Sequence, residues 1–535
     1  MTQENRIFWR ALVAAALLFG GYTATAPVNH SEANDAYGYA YSVETCATSQ
    51  LWHSQHLLYF PTARVLWLLA RQMGLAERAF PVMVWFSRVC GVLSVLLLFL
   101  LLHRRVTAPE RDPQKSRALW LAAVAGAGGL AFSYGFWRYS NEAEIYTPGA
   151  LLILLAWLAA AGRPTWRNAI LSGILAAFAC LMHILNVLPA LAAIPVFYLA
   201  QRRFRDAITH GLVAGALTGT TYLAFYGSRV LAEIFGLGAD QPEGGCSWAS
   251  LLKGLVALAQ DLTAGNFLFA SEKFQHAMVQ LFPYRALARQ IFTGQHADLL
   301  ARTIPFITLT LLVMLGVALL IIRWKTGRTS VPHLPLAIAA ATWLGLQSIV
   351  VLITEPGSPE NWVMTLPPFW ILIAVTLYTP IAAAGRPFVP LAIMALLCVH
   401  NYFGGFRLLA DPRGDLAACK SAWLIQNAKS GDLILTAESF EIMRYLRYYS
   451  GADVVHLVYE VTPASKAVLL ANLRQRSGHV FATAEVFDLP PSLKHRFPQR
   501  AVFLEALGRE LAPDFVRITT NEFGGVFERK TTAGR

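Results

Sequence analysis

Asp35 stands in 30-HSEANDAYGYAYSVE-44, soon after the first apolar run, with Glu32 and Glu44 in the same stretch. A second polar stretch, 137-WRYSNEAEIY-146, carries Arg138, Glu142 and Glu144. A carboxylate at the edge of an apolar span can take a proton from an attacking hydroxyl. A guanidinium there matches the fork geometry of a phosphate. Glu142 and Glu144 lie two apart, so on an extended chain both face one side and could share a proton or a divalent cation; on a helix they diverge. His53 and His56 are three apart and fall on one helical face. His183 sits at a tight hairpin between two apolar runs. Arg88 is the one cation inside such a run, and either snorkels to the surface or meets an anionic headgroup. Each has a plainer alternative, a solvated loop charge or a structural histidine, and spacing alone does not separate the two.

The elements that must position these groups are membrane helices. Of 535 residues, 56% are hydrophobic and 14% charged, against about a quarter charged in a soluble globule. The apolar runs are continuous, as in 91-GVLSVLLLFLLL-102 and 303-TIPFITLTLLVMLGVALLII-322. Barrel strands would alternate, so α-helices satisfy the backbone here. At roughly 17–25 residues per crossing, about eleven spans are expected: 7–27, 82–103, 118–136, 147–161, 168–183, 186–200, 207–226, 303–322, 332–353, 366–383 and 387–403. The run at 7–27 lacks a clean small-x-small cleavage site and reads as a retained anchor.

One set of short loops holds Arg6 and Arg10, then Arg104 to Arg117, Arg163, Arg167, Arg202 to Arg205, Arg323 to Arg328, and Arg386; the opposite short loops hold almost only Arg138. By the positive-inside rule the basic set is cytoplasmic. An odd span count then puts the C-terminus outside. The net charge of +12 therefore reports topology and not a nucleic-acid partner. Two outer segments are long. The first, 28–81, contains the amphipathic stretch 56-HLLYFPTARVLWLLARQMG-74, expected to lie along the membrane surface. The second, 227–302, mixes the glycine-rich turns of 235–245 with amphipathic helices such as 248-WASLLKGLVALAQDL-262. Cys46 and Cys246 both lie in outer segments, where an oxidising compartment would permit a disulfide.

Composition changes near residue 411. The strand-like runs 432-DLILT-436, 453-DVVHLVY-459 and 479-HVFATAEVF-487 alternate with helical stretches, which predicts a small α/β domain. The expected organisation is a membrane domain over 1–410, with outer loops 28–81 and 227–302, and a soluble α/β domain over 411–535.

The spans contain essentially no Asp or Glu, whereas the outer face has several. A transporter or flippase is expected to place ionisable groups near the bilayer midplane, and a non-enzymatic scaffold has no need of acids hugging the membrane. The distribution favours an enzyme acting on a lipid headgroup.

The run 85-WFSRVCGVLSVLLLFLLLHRRV-106 resembles the second-span pattern of bacterial GT-C superfamily membrane glycosyltransferases, in particular the protein mannosyltransferase-like group. The segment 141-NEAEIYTPGALLIL-154 is similar to a stretch that opens a span in that group. The Asp-x-Tyr of 35-DAY-37 resembles the acidic position of their first outer loop, and 355-EPGSPENWVMTLPPFWILIA-374 resembles their proline-rich start of a late span. The first loop lacks a DxD, and 56-HLLYFP-61 stands where the group usually has His-Pro-Pro. The resemblance covers roughly residues 1–400. It implies a glycosyltransferase of the inverting kind in a bacterial inner membrane. The donor it implies is a polyprenyl-phosphate sugar, and the acceptor a lipid, a glycan or a protein. Asp35 would be the base. Arg138 and Arg88 would meet the donor phosphate. Glu142, Glu144, His53 and His56 are the further substrate-binding candidates, with a divalent cation as a possible cofactor. The alternative reading is a transporter or flippase of lipid-linked sugars.

Overall fold

The computed structural model describes residues 3–30, 33, 35–107, 110, 112–227, 248–281, 287–325 and 333–530. Glu32, Cys246, the basic residues Arg111 and Arg328, and the turns of 235–245 lie outside the described residues. The chain forms two compact units. One comprises residues 1–27, 42–267 and 298–410; the other comprises 28–41, 268–297 and 411–535. The second therefore takes in two stretches that the sequence groups with the outer loops of the membrane domain.

The first unit is helical, and each of the eleven apolar runs contains helix. Among the described residues, five segments are long and apolar enough to cross a membrane by length and composition: Ala79–Thr107, Leu299–Trp324, Leu334–Thr354, Pro359–Ala383 and Phe388–Leu409. The remaining runs form shorter or less apolar helices. Pro113–Phe132 is rich in Ala and Gly because it packs closely against Ala79–Leu102 and Phe388–Asn401, and small residues allow close backbone approach. The amphipathic stretch forms a helix, Tyr59–Gln72, with Tyr59, Phe60, Ala63 and Trp67 buried. Val65, Leu68 and Leu69 are exposed on its other side, as an interfacial helix requires.

Local chemistry fixes the chain at the ends of these helices. Glu44 accepts the N–H of Ala79 at 2.6 Å and pairs with Arg78 at 2.9 Å, capping Ala79–Leu102. Pro113–Phe132 stops at Ser133, whose backbone is extended. The Ser133 hydroxyl donates to Gly129 O and accepts the Trp370 indole N–H at 2.8 Å. The short helix Tyr134–Tyr139 follows at once, and so carries the 137–146 stretch into the helical unit instead of out into solvent. Asn401 accepts the N–H of Ala264 and donates to Leu262 O. The adjacent His400 reaches Ala264 O at 3.2 Å. These bonds fasten the C-terminal end of helix Trp248–Leu262.

The second unit is built on a five-stranded sheet, β1 (Leu433–Thr436), β2 (Asp453–His456), β3 (Val480–Thr483), β4 (Phe515–Asn521) and β5 (Gly524–Arg529), in the order β2-β1-β3-β5-β4. The first three strands pair in parallel, and β5 pairs antiparallel with β3 and β4. β1 and β3 are buried along their whole length, as central strands covered on both faces must be. One face packs Leu433, Leu435, Leu457 and Leu507, and the other packs Ile434, Ile442, Leu446 and Phe481. The added stretches are bound by specific contacts. Asn29 donates to Gly414 O at 2.7 Å and to Thr293 Oγ1 at 3.1 Å, and Arg289 pairs with Glu441 at 3.1 Å.

Candidate active site

Within the helical unit, the break at Ser133 brings Arg138, Glu142 and Glu144 inside. Arg138 is 2% exposed, Glu142 0% and Glu144 1%. The sequence places these residues in an outer loop; in the structure they are interior. Arg138 faces the Glu142 carboxylate and the Tyr134 hydroxyl, each at 3.5 Å, and its guanidinium lies near the Tyr139 ring. Glu142 and Glu144 do not form an extended pair. A tight turn runs through them, with Asn141 N–H on Arg138 O and Glu144 N–H on Glu142 O. Glu142 is turned to Arg138, while neither Glu144 carboxylate oxygen has a side-chain hydrogen-bond partner. Burial, then the carboxylates of Glu360 and Glu142, push Glu144 well above the usual carboxylate range.

Asp261, near the end of helix Trp248–Leu262, joins the group. Its carboxylate lies where a Cβ on residue 135 would stand, so only glycine at that position admits it. One of its oxygens is buried without a partner. Burial, then Glu360, push it above the usual range. Glu142, Glu144 and Asp261 thus share a largely dry interior with one guanidinium, and the half-buried Glu360 lies near them. Glu144 and Asp261, both shifted towards the protonated form, can donate as well as accept hydrogen bonds once protonated, which suits recognition of hydroxyl groups. Among the described residues, no three of His, Cys, Asp and Glu converge closely enough to hold a metal ion.

Arg88 is buried too. Its Nε donates to Asn141 Oδ1 at 2.8 Å, and Nη1 donates to Thr23 Oγ1 at 3.2 Å. It holds the 137–146 turn to two helices and keeps further N–H donors in hand. Ser87 adds a bond to Glu144 O at 3.0 Å. The histidines form a file of rings. The exposed His53 stacks on the buried His56 with centroids 5.0 Å apart, His56 meets His183 at 5.2 Å, and His183 meets Tyr146 at 5.6 Å. Tyr146 meets Tyr139 at 5.2 Å, beside Arg138. His183 is buried with both ring nitrogens unpaired.

Asp35 belongs to the sheet-containing unit. Its carboxylate pairs with Arg444 on helix Phe440–Tyr449 through Oδ1 and accepts the Tyr39 hydroxyl on Oδ2 at 3.0 Å. Asp261, Glu360 and the tyrosines were not among the sequence candidates. Asp261 is the one acid of an amphipathic helix, and an acid-poor chain makes each such residue a signal.

Comparison with known proteins agrees with this architecture. Residues 58–207 match the family model described as the protein O-mannosyl-transferase TMEM260 N-terminal domain. ArnT from Cupriavidus metallidurans in the apo state superposes with a TM-score of 0.57 at 11% identity, covering 99% of this chain and 100% of that one. The same protein bound to undecaprenyl phosphate gives a TM-score of 0.53 at 11% identity, with all of both chains covered. No curated protein sequence matches the chain. The chain shares the fold of ArnT, and the resemblance read from its sequence agrees with that fold and with the family match. The match to the protein O-mannosyl-transferase family model covers residues 58–207 of the 535.

Proposed function

We propose that the protein transfers a sugar from a polyprenyl-phosphate donor to an acceptor hydroxyl at the exoplasmic face of a bacterial inner membrane. The N-terminus is cytoplasmic and the sheet-containing unit exoplasmic. The observation that carries this reading is the Arg138 cluster, a buried guanidinium paired with the buried Glu142, with the Glu144 and Asp261 carboxylates interior beside it in an apolar helical unit. Such a group stabilises a leaving phosphate far more in a dry interior than it would in water. Asp35 takes the acceptor proton. The acceptor oxygen attacks the anomeric carbon, and the bond from that carbon to the phosphate oxygen breaks. Its electron pair leaves with the polyprenyl phosphate, and the displacement inverts the anomeric configuration. Arg138, with Arg88 behind it, receives the phosphate. Glu142, Glu144 and Asp261 receive sugar hydroxyls, and the ring file from His53 and His56 lines the approach. The family match supports mannose as the first donor sugar to test and a protein hydroxyl as the first acceptor.

The test uses the purified full chain, undecaprenyl-phosphate mannose and Ser/Thr-rich peptides, with release of free undecaprenyl phosphate as the signal. Asp35→Asn keeps the size and removes the basicity, so turnover should fall by about 10²–10⁴-fold. Thermal stability should change by less than about 1 kcal/mol, since the pair it breaks is partly exposed. Turnover by the variant at the unmutated rate would discard the base assignment.

A further inference from the structure

The geometry around Asp35 gives the sheet-containing unit a role. We propose that Arg444 is the positioning residue for Asp35, so that the C-terminal unit sets the orientation of the base. The proposal rests on the assignment of Asp35 as that base.

Asp35 and Arg444 are 409 residues apart in sequence yet form an ion pair. The guanidinium carbon lies 3.8 Å from the centroid of the Phe440 ring, and stacking of this kind fixes the plane of an arginine fork. A Cβ at residue 38 would stand 2.9 Å from both Cδ and Nε of Arg444. Glycine at that position lets the arginine lie across the backbone of 35-DAYGY-39. Tyr37 sits among Tyr445, Tyr448 and Tyr449, with centroids 5.0, 5.9 and 5.6 Å away. The start of helix Ala36–Thr45 is therefore seated on helix Phe440–Tyr449 on both sides of Gly38. Arg444 takes one carboxylate oxygen of Asp35 and Tyr39 the other. An ionised carboxylate offers about four lone-pair directions, so lone pairs remain for an incoming hydroxyl while the group itself cannot turn. Arg444 does not meet substrate; it acts through Asp35.

The experiment is a double-variant cycle in the full chain, with undecaprenyl-phosphate mannose as donor. Arg444→Gln should lower kcat by about 10²-fold, the scale of a 1 Å misplacement, with the donor KM unchanged. Gly38→Ala, which pushes the arginine aside, should do the same, and Arg444→Lys should restore part of the rate. In an Asp35→Asn background, Arg444→Gln should add nothing. An undiminished effect there, or a wild-type rate for Arg444→Gln alone, overturns the proposal while leaving the base intact. An Asp35→Asn enzyme of full activity discards the base assignment instead. Hydrogen exchange needs no substrate and judges the clamp separately. The amides of residues 36–41 should exchange about tenfold faster in Arg444→Gln and in Gly38→Ala, and unchanged exchange sinks the clamp.

Discussion

At the scale of single residues, the burial of Arg138 changes what its removal should do. Arg138→Ala breaks the buried pair with the interior Glu142, a change that costs about 3–5 kcal/mol. The expectation is a large drop in melting temperature as well as loss of donor binding. Replacing both partners, Arg138→Met with Glu142→Gln, should recover most of the stability and none of the transfer. Melting and turnover measured on the same preparations check this, and a double variant that still transfers sugar would remove Arg138 from the phosphate's path. The candidates themselves were legible because charge is so scarce in the chain that any Arg or Glu near a span stands out. Their burial was not legible. It follows from the chain breaking at Ser133, a break held by Trp370, far away in sequence. Glu360 went unnoticed because it reads as the polar start of a span, and only packing turns it toward Glu144.

Among the elements, strands β1 to β3 could be read from their short β-branched runs between helical stretches. The antiparallel pair β4 and β5 could not, since its alternation is broken by a register shift between Arg517 and Thr519. Nor could the recruitment of residues 28–41 and 268–297, which depends on bonds such as Asn29 to Gly414. Just beyond the C-terminal ends of β1 and β3 lie Glu438 and Glu485, both paired to Lys420, at 2.7 and 2.8 Å. Burial, then the neighbouring Glu485, push Glu438 well above the usual carboxylate range. Burial would also raise Glu485, but its hydrogen bond with Glu438 and the charge of Lys420 outweigh it and hold that residue below. The folded unit thus binds the Glu438 proton more tightly than the unfolded chain does. The stability this contributes is present at low pH and is lost as pH rises through the raised value. Denaturant midpoints of the full chain should therefore fall from about pH 5 upward, and Glu438→Gln should flatten that fall. An equally steep fall in the variant would show that other groups set it.

At the scale of the whole molecule, the arginine asymmetry of the short loops predicts the orientation. A cysteine placed at Lys530 should be labelled by a membrane-impermeant maleimide in intact spheroplasts, above the background of the parent protein. Labelling that requires permeabilisation would reverse the orientation and with it the face on which transfer occurs. The exposed face of helix Tyr59–Gln72 belongs to the same scale. Val65→Asp with Leu69→Asp should leave the helix folded, because its buried residues are untouched, yet release it from the bilayer surface. Lipid-vesicle flotation of the protein segment and quenching by brominated lipids would read that release, and unchanged quenching would refute the interfacial placement.

The pairing of Asp35 with Arg444 also sets an order in time. During synthesis at about 5–20 residues per second, the loop bearing Asp35 waits on the order of 20–80 s before its arginine has been made. By the end of that interval the nascent chain has every membrane helix and still no seated Asp35. A ribosome that stalls or a message cut short before β1 yields a protein that inserts but stays idle. On the proposed function, competence to handle a lipid-linked sugar would arrive only with the last quarter of the chain, a proofreading step written into the connectivity.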